Sequence, residues 1–143
     1  MADVFSINKR KQIMARIRSK NTTPEQRVKK ALKLLGKSFK TYYSSLPGRP
    51  DIVIKDSKLA LFVHGCFWHQ HMGCTRNFTP KSNKAYWVPK LARNVERFRE
   101  VQRDLRRMNW KVKVVWECQT KKQDRLEKLL SKYMVQSEAL NAV

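Results

Sequence analysis

Apolar positions along the chain fall into two rhythms, one helical and one strand-like. In "TTPEQRVKKALKLLGK" (22–37), Val28, Ala31, Leu32 and Leu35 recur at helical spacing. Thr23 is expected to cap this helix, Pro24 to open it, Gln26 to complete a capping box and Gly36 to stop it. The period then shortens. "SFKTYY" (38–43) is rich in strand formers, "SLPGRP" (45–50) is a turn-rich connection, and "DIVI" (51–54) and "KLALFVH" (58–64) are apolar runs joined by "KDSK". Unbroken apolar runs suit central strands covered on both faces. Residues 75–89 have no clear period. Pro89 then suits the start of a helix in which Leu91, Val95, Phe98, Leu105 and Met108 share a face. "WKVKVVW" (110–116) alternates, with Trp110, Val112, Val114 and Trp116 on one side. A last helix carries Leu126, Leu129, Leu130 and Tyr133, and the tail after 136 is expected to fray.

The order is therefore α-β-β-β-α-β-α, which predicts an α/β fold with one sheet and helices on both faces. The expected division is a basic arm or short helix over 1–22, one domain over 23–136 and a tail over 137–143. Ile13, Met14 and Ile17 give the arm a thin apolar stripe.

Charge changes the picture more than composition does. Lys and Arg number 32 against 11 Asp and Glu, a net charge of +21. A compact chain that repels itself so strongly makes sense beside a polyanion, and nucleic acid is the expected partner. No apolar run approaches the ~20 residues that cross a bilayer, and the N-terminal stretch lacks the apolar core of an export signal. A cytoplasmic location without membrane contact is expected. In such a compartment three cysteines point to metal thiolates or plain buried thiols, not to a disulfide framework.

All three histidines lie within "HGCFWHQHMGC" (64–74). Cys66, His71 and Cys74 are spaced C-x4-H-x2-C, and the remaining cysteine, Cys118, follows the strand "WKVKVVW". If the strands ending near His64 and Trp116 run parallel, Cys118 arrives beside Cys66. Three thiolates and one imidazole would then close a structural Zn2+ site. The competing reading is buried free cysteines with a surface histidine.

Asp51 stands at the start of a core strand directly after Pro50. A carboxylate there could hold a hard cation such as Mg2+, with a backbone carbonyl at the end of the next strand, Val63-His64, as a second oxygen ligand. The layout resembles the PD-(D/E)xK nuclease core, in which Pro-Asp on one strand is followed by D/E-x-K on the next. Here "FVH" (62–64) takes the place of that second motif. His64 and His69 are the groups left to handle protons near neutral pH.

Read together, "RIRSKNTTPE", "LPGRPDIV", "FVHGCFWHQHMGC", "YWV", "NVER" and "WKVKVVWEC" resemble the very-short-patch repair (Vsr) endonucleases of bacteria over residues 14–118. The resemblance implies a restriction-endonuclease-like mixed sheet with structural zinc, acting on double-stranded DNA that contains a mismatch. It implies Mg2+-dependent nicking of one strand 5′ of the thymine in a T:G mismatch left by deaminated 5-methylcytosine. Asp51 then matches the metal-binding aspartate, Val63 the carbonyl ligand and His69 the general base. His64 and Glu25 match supporting positions, and Cys66, His71, Cys74 and Cys118 the zinc ligands. Phe67, Trp68 and Trp87 match rings that intercalate beside the mismatch. A monomer is implied, together with contact to other mismatch-repair proteins and association with the nucleoid. Two positions depart from the family pattern: Phe98 stands where an aspartate often follows "NVER", and two residues, not one, separate His71 from Cys74. A restriction-like enzyme on matched duplex and an inactive zinc-stabilised binding module are the alternatives.

Overall fold

The computed structural model describes residues 21–74 and 80–141, with side chains as far as residue 135. The expected arm, apart from Asn21 and Thr22, lies outside the described residues. Helix α1 spans Thr23–Leu34. Thr22, not Thr23, is its N-cap, and no side-chain cap bond forms. The first turn reaches back one residue further instead. The Asn21 N–H donates to Glu25 Oε2 at 3.0 Å, and Gln26 Nε2 donates to the Asn21 carbonyl at 2.9 Å. At the other end Gly36 turns to φ +72°, while the Lys37 and Gly36 amides close on the Leu32 and Lys33 carbonyls, both at 3.0 Å. That pair of bonds is the Schellman stop expected of glycine one residue past a helix.

Strands β1 (Lys40–Thr41), β2 (Ile52–Ile54), β3 (Leu59–His64) and β4 (Lys111–Trp116) form one sheet in that order. The first two pairings are antiparallel, and β3 with β4 is parallel. The sheet is therefore mixed. The strand expected over 38–43 is cut to two residues because Tyr42, at φ +48°, leaves extended backbone. The turn-rich connection packs on the next helix: a Cβ on Gly48 would run into the Val101 side chain.

Helix α2 (Lys84–Arg107) joins β3 to β4. It begins five residues before the expected start, and Pro89 lies inside it. Asn83 opens the helix with its carbonyl, which accepts from the Tyr86 and Trp87 amides, both at 3.0 Å. Pro89 falls near the helix start, so the ring removes only one ladder bond, early in the helix. Helix α3 (Gln123–Asn141) runs on beyond the expected end of its apolar pattern.

Strand alternation sorts the core onto two faces. Ile52, Ile54, Leu59, Leu61 and Val115 pack with Val28, Ala31 and Leu32 of α1 and with Leu126, Leu130 and Met134 of α3. Val53, Ala60 and Phe62 pack with Leu46 and with Leu105 of α2, joined by the half-buried Phe98 and Val101. This is the expected sheet with helices on both sides. Among the described residues no helix is long and apolar enough to cross a membrane.

Candidate active site and metal centre

The parallel pairing of β3 and β4 sets the site. His64 lies opposite Trp116, so both strands end together and their following segments meet. After β3 the chain folds into a compact loop: the His71 amide bonds the Cys66 carbonyl at 2.9 Å, and the His69 amide bonds the Gly65 carbonyl at 3.2 Å. After β4 a 3-10 turn over Glu117–Thr120 carries Cys118. It is fixed by the Trp116 amide donating to Gln119 Oε1 at 2.8 Å and by Thr120 Oγ1 donating to the Glu117 carbonyl at 2.8 Å.

These two segments bring together one candidate ligand atom from each of Cys66, His71, Cys74 and Cys118, all within 4.8 Å of one another. Ligands at ~2.3 Å from a tetrahedral zinc lie about 3.8 Å apart, so the donor set and its spread are compatible with zinc. Burial pushes the Cys66 thiol up to about 12. A metal that binds there must displace its proton. The His71 ring stacks on Trp116 at 4.1 Å, and its Nδ1 is 3.5 Å from Cys118 Sγ. The extra residue in "HMGC" is taken up outside the cluster. Met72 is 82% exposed and Gly73 turns at φ +79°. The Cys74 amide still returns to the His71 carbonyl at 3.3 Å.

On the other side of β3, Asp51 and the histidines occupy the same end of the sheet. Asp51 Oδ2 accepts the Val63 N–H at 2.7 Å. Burial pushes the Asp51 carboxyl up to about 7; the Val63 bond works against this, the nearby Glu25 carboxylate adds to it, and Lys29 opposes it. A half-buried carboxylate with a second carboxylate nearby offers hard oxygen donors that suit a divalent cation. Glu25, itself buried, is held by the Asn21 amide and by the Tyr42 hydroxyl, which donates to Oε2 at 2.7 Å.

His64 and His69 stack face to face, centroids 3.6 Å apart and planes within 8°. Phe98 meets His64 edge-on at 4.4 Å and Trp116 does so at 5.3 Å. Both Nδ1 atoms are buried without a hydrogen-bond partner among the described residues. Burial holds His64 well below the ordinary histidine range, with His69 beside it adding to the effect, and lowers His69 to about 4. Both rings are therefore neutral near pH 7, the form that can accept a proton.

Phe67, Trp68 and Trp87 form a third group. Their rings meet pairwise at 5.3, 5.4 and 5.7 Å, and Tyr86 joins Trp87 at 5.0 Å. Asn94 of α2 donates to the Trp68 carbonyl at 3.3 Å, tying the loop to the helix. The structure thus places every sequence-predicted site residue at one end of the sheet, in three adjoining clusters. Sequence reasoning missed Tyr42 and Lys29, although Glu25 and Lys29 stand four apart on one helix face, a spacing that brings side chains together. It read Phe98 as an apolar helix position and a departure from the family pattern, and missed that its ring meets both histidines.

The family model described as "DNA mismatch endonuclease Vsr" matches residues 2–76. The chain belongs to the Vsr family. It is 36% identical to the DNA mismatch endonuclease Vsr of Escherichia coli over 88% of this chain and 80% of that one. It is 44% identical to the type II nicking enzyme V.XorIIP of Xanthomonas oryzae over 83% and 87% of the two chains. To the type II nicking enzyme V.NmeAIP of Neisseria meningitidis it is 40% identical over 85% and 86%. This Vsr-family protein is a DNA mismatch endonuclease, a hydrolase that acts on DNA.

Proposed function

We propose that the protein nicks one strand of double-stranded DNA on the 5′ side of the thymine in a T:G mismatch, in an Mg2+-dependent hydrolysis on a restriction-endonuclease-like fold. The observation that carries this reading is the convergence at the end of β3. There the half-buried Asp51 carboxylate is bonded to the Val63 amide, one residue from the stacked His64–His69 pair. Asp51 and the Val63 carbonyl are the oxygens that would hold Mg2+, which when bound supplies Lewis-acid stabilisation of charge on the phosphate.

His69, neutral and half-buried, takes the proton of the attacking water. A phosphate brought alongside adds negative charge and raises the ring's affinity for that proton. His64, stacked against it and walled by Phe98 and Trp116, fixes its plane. Glu25 orients His69 or the water from α1. Phe67, Trp68 and Trp87 form the apolar wedge that enters the base stack, where a mismatched step is cheaper to open than a paired one. Zn2+ on Cys66, His71, Cys74 and Cys118 would keep wedge and general base on one rigid loop. The reaction needs one site on one strand, which suits a monomer on the bacterial nucleoid, working beside other mismatch-repair proteins.

The test is strand nicking of a duplex carrying a single T:G pair, with the matched duplex as control. Asp51→Ala should lower the rate by about 1,000-fold, the loss expected when several kcal/mol of transition-state stabilisation disappear. Full activity of Asp51→Ala in Mg2+, or equal double-strand cutting of the matched duplex, would overturn the reading.

A further inference from the structure

The second motif of the PD-(D/E)xK layout brings a lysine to the site, and "FVH" brings none. The structure nevertheless holds an ammonium group beside the two carboxylates. It comes from α1, one turn after Glu25. Lys29 Nζ donates to the Tyr42 hydroxyl oxygen at 3.0 Å and to Asn21 Oδ1 at 3.0 Å. It also lies 4.7 Å from the centroid of the Tyr42 ring. Tyr42 in turn donates its hydroxyl hydrogen to Glu25 Oε2 at 2.7 Å. Its backbone amide bonds the Asp51 carbonyl at 3.0 Å, so Tyr42 is tied to both acidic residues.

Direction matters in this chain of bonds. An ammonium has only donors, so the phenol oxygen must be the acceptor from Lys29. The phenol hydrogen is then the one that Glu25 accepts. A cation on the phenol oxygen polarises the O–H and strengthens its bond to the carboxylate. Asn21 closes the ring, since its amide holds the same Glu25 oxygen while its side-chain carbonyl holds Lys29. The backbone is also committed. Tyr42 adopts φ +48°, a left-handed conformation that non-glycine residues seldom take and that tends to persist where surrounding structure requires it. The same turn ends β1 and swings the phenol over α1.

We propose that Lys29 and Tyr42 are positioning residues of the nuclease site, Lys29 supplying through the Tyr42 hydroxyl the cation that fixes the Glu25 carboxylate beside Asp51. The inference rests on the reading of Glu25 and Asp51 as active-site acids. Its distinct content is that the cationic component of this site comes from helix α1 and works through a tyrosine. The Lys29 charge also favours ionised Asp51, in line with its effect on that carboxyl.

The experiment uses the full chain and a T:G duplex under single-turnover conditions. It reads the rate at saturating enzyme, the Kd for the duplex and the thermal midpoint for Tyr42→Phe, Lys29→Met, Lys29→Arg and Glu25→Gln. Partners one step removed from the reacting groups typically contribute about 10-fold to 100-fold. Tyr42→Phe and Lys29→Met should lose that much in rate while Kd changes less than about two-fold and the midpoint holds. Lys29→Arg keeps the charge and should recover most of the rate. Tyr42→Phe should add nothing further in a Glu25→Gln background, because the residue it acts through is already gone. Unchanged rates in both variants would overturn the proposal. So would a Lys29→Met defect that appears only as weaker, less salt-dependent DNA binding, which would make Lys29 a phosphate contact. A loss that follows the thermal midpoint and is additive with Glu25→Gln would make the pair structural. Full activity in Glu25→Gln would remove the underlying reading as well, whereas a defect there with none in Tyr42→Phe or Lys29→Met removes the proposal alone.

Discussion

Asp51 carries opposing demands that a titration can separate. Its carboxyl is pushed from the ordinary 3.8 up to about 7, chiefly by burial. The folded chain therefore binds a proton at Asp51 between about pH 4 and 7 that the unfolded chain has released. Stability is greatest on the acid side of that window and falls as pH rises through it. Asp51→Asn keeps an acceptor for the Val63 amide but has no charge to bury. The thermal midpoint of Asp51→Asn relative to the unsubstituted protein should rise between pH 4 and 7.5, by an amount on the order of a few kcal/mol in stability. Added Mg2+ should raise the midpoint of the unsubstituted protein more at pH 7.5 than at pH 5, and should leave Asp51→Asn unmoved. A midpoint difference independent of pH would show that Asp51 is not the desolvated acid described above. Phe98 makes a related point at the neighbouring cluster. Where the family pattern often puts a carboxylate, this chain puts a ring 4.4 Å from His64, so the imidazole is aligned by packing and not by an acceptor for its Nδ1.

The loop after β3 is useful only if it is held, and part of the holding comes from β4 and the turn after it, where Trp116 stacks on His71 and Cys118 approaches the His71 Nδ1. Cys118 sits in the 3-10 turn after β4, 44 residues beyond Cys74 in the chain, yet its sulfur lies with the other three ligand atoms. Cys118→Ser should drop bound zinc from one per chain to well below that, measured by elemental analysis, and lower the thermal midpoint by several degrees. A structural metal's binding free energy adds directly to folding. Full zinc content in Cys118→Ser would remove the long-range ligand. This part of the site was legible in the sequence because parallel strands place their C-terminal ends together, a rule that needs only the two apolar runs and their order. Other elements were less legible for physical reasons. Pro89 imitates a helix start, and nothing local shows that Asn83 opens the helix six residues earlier. Thr23 and Gln26 spell a capping box, but the first turn bonds to Asn21 instead. The stacking of His64 on His69 depends on how the loop folds back over the strand end, and no periodicity carries that. Tyr42 escaped notice because a β-prone segment hides a residue whose backbone is left-handed.

Across the whole molecule the excess of positive charge is the dominant long-range feature, and the structure distinguishes charges that are spent from those that are available. On the exposed side of α2, Glu96 pairs with Arg99 at 3.4 Å and Arg103 at 3.7 Å, and Asp104 pairs with Arg107 at 3.7 Å. Arg93 and Arg97 are also exposed and make no ion pair among the described residues. They flank Asn94, which ties this helix to the aromatic loop. Exposed pairs add little to stability, so their effect is to lower the charge that those arginines present to a phosphate. DNA binding should weaken steeply with salt, and each arginine that contacts a phosphate adds about one to the magnitude of the log–log slope. Arg93→Ala and Arg97→Ala should each reduce that magnitude by about one and weaken binding to matched and mismatched duplex alike. Arg99→Ala should do less, since pairing with Glu96 already lowers the charge that Arg99 presents to a phosphate. Equilibrium binding between about 50 and 200 mM salt, on both duplexes, reads all three variants. An equal slope for Arg97→Ala and the unsubstituted protein would move the DNA away from this face of α2. A loss confined to the mismatched duplex would instead give Arg97 a part in recognising the lesion, beyond holding the backbone.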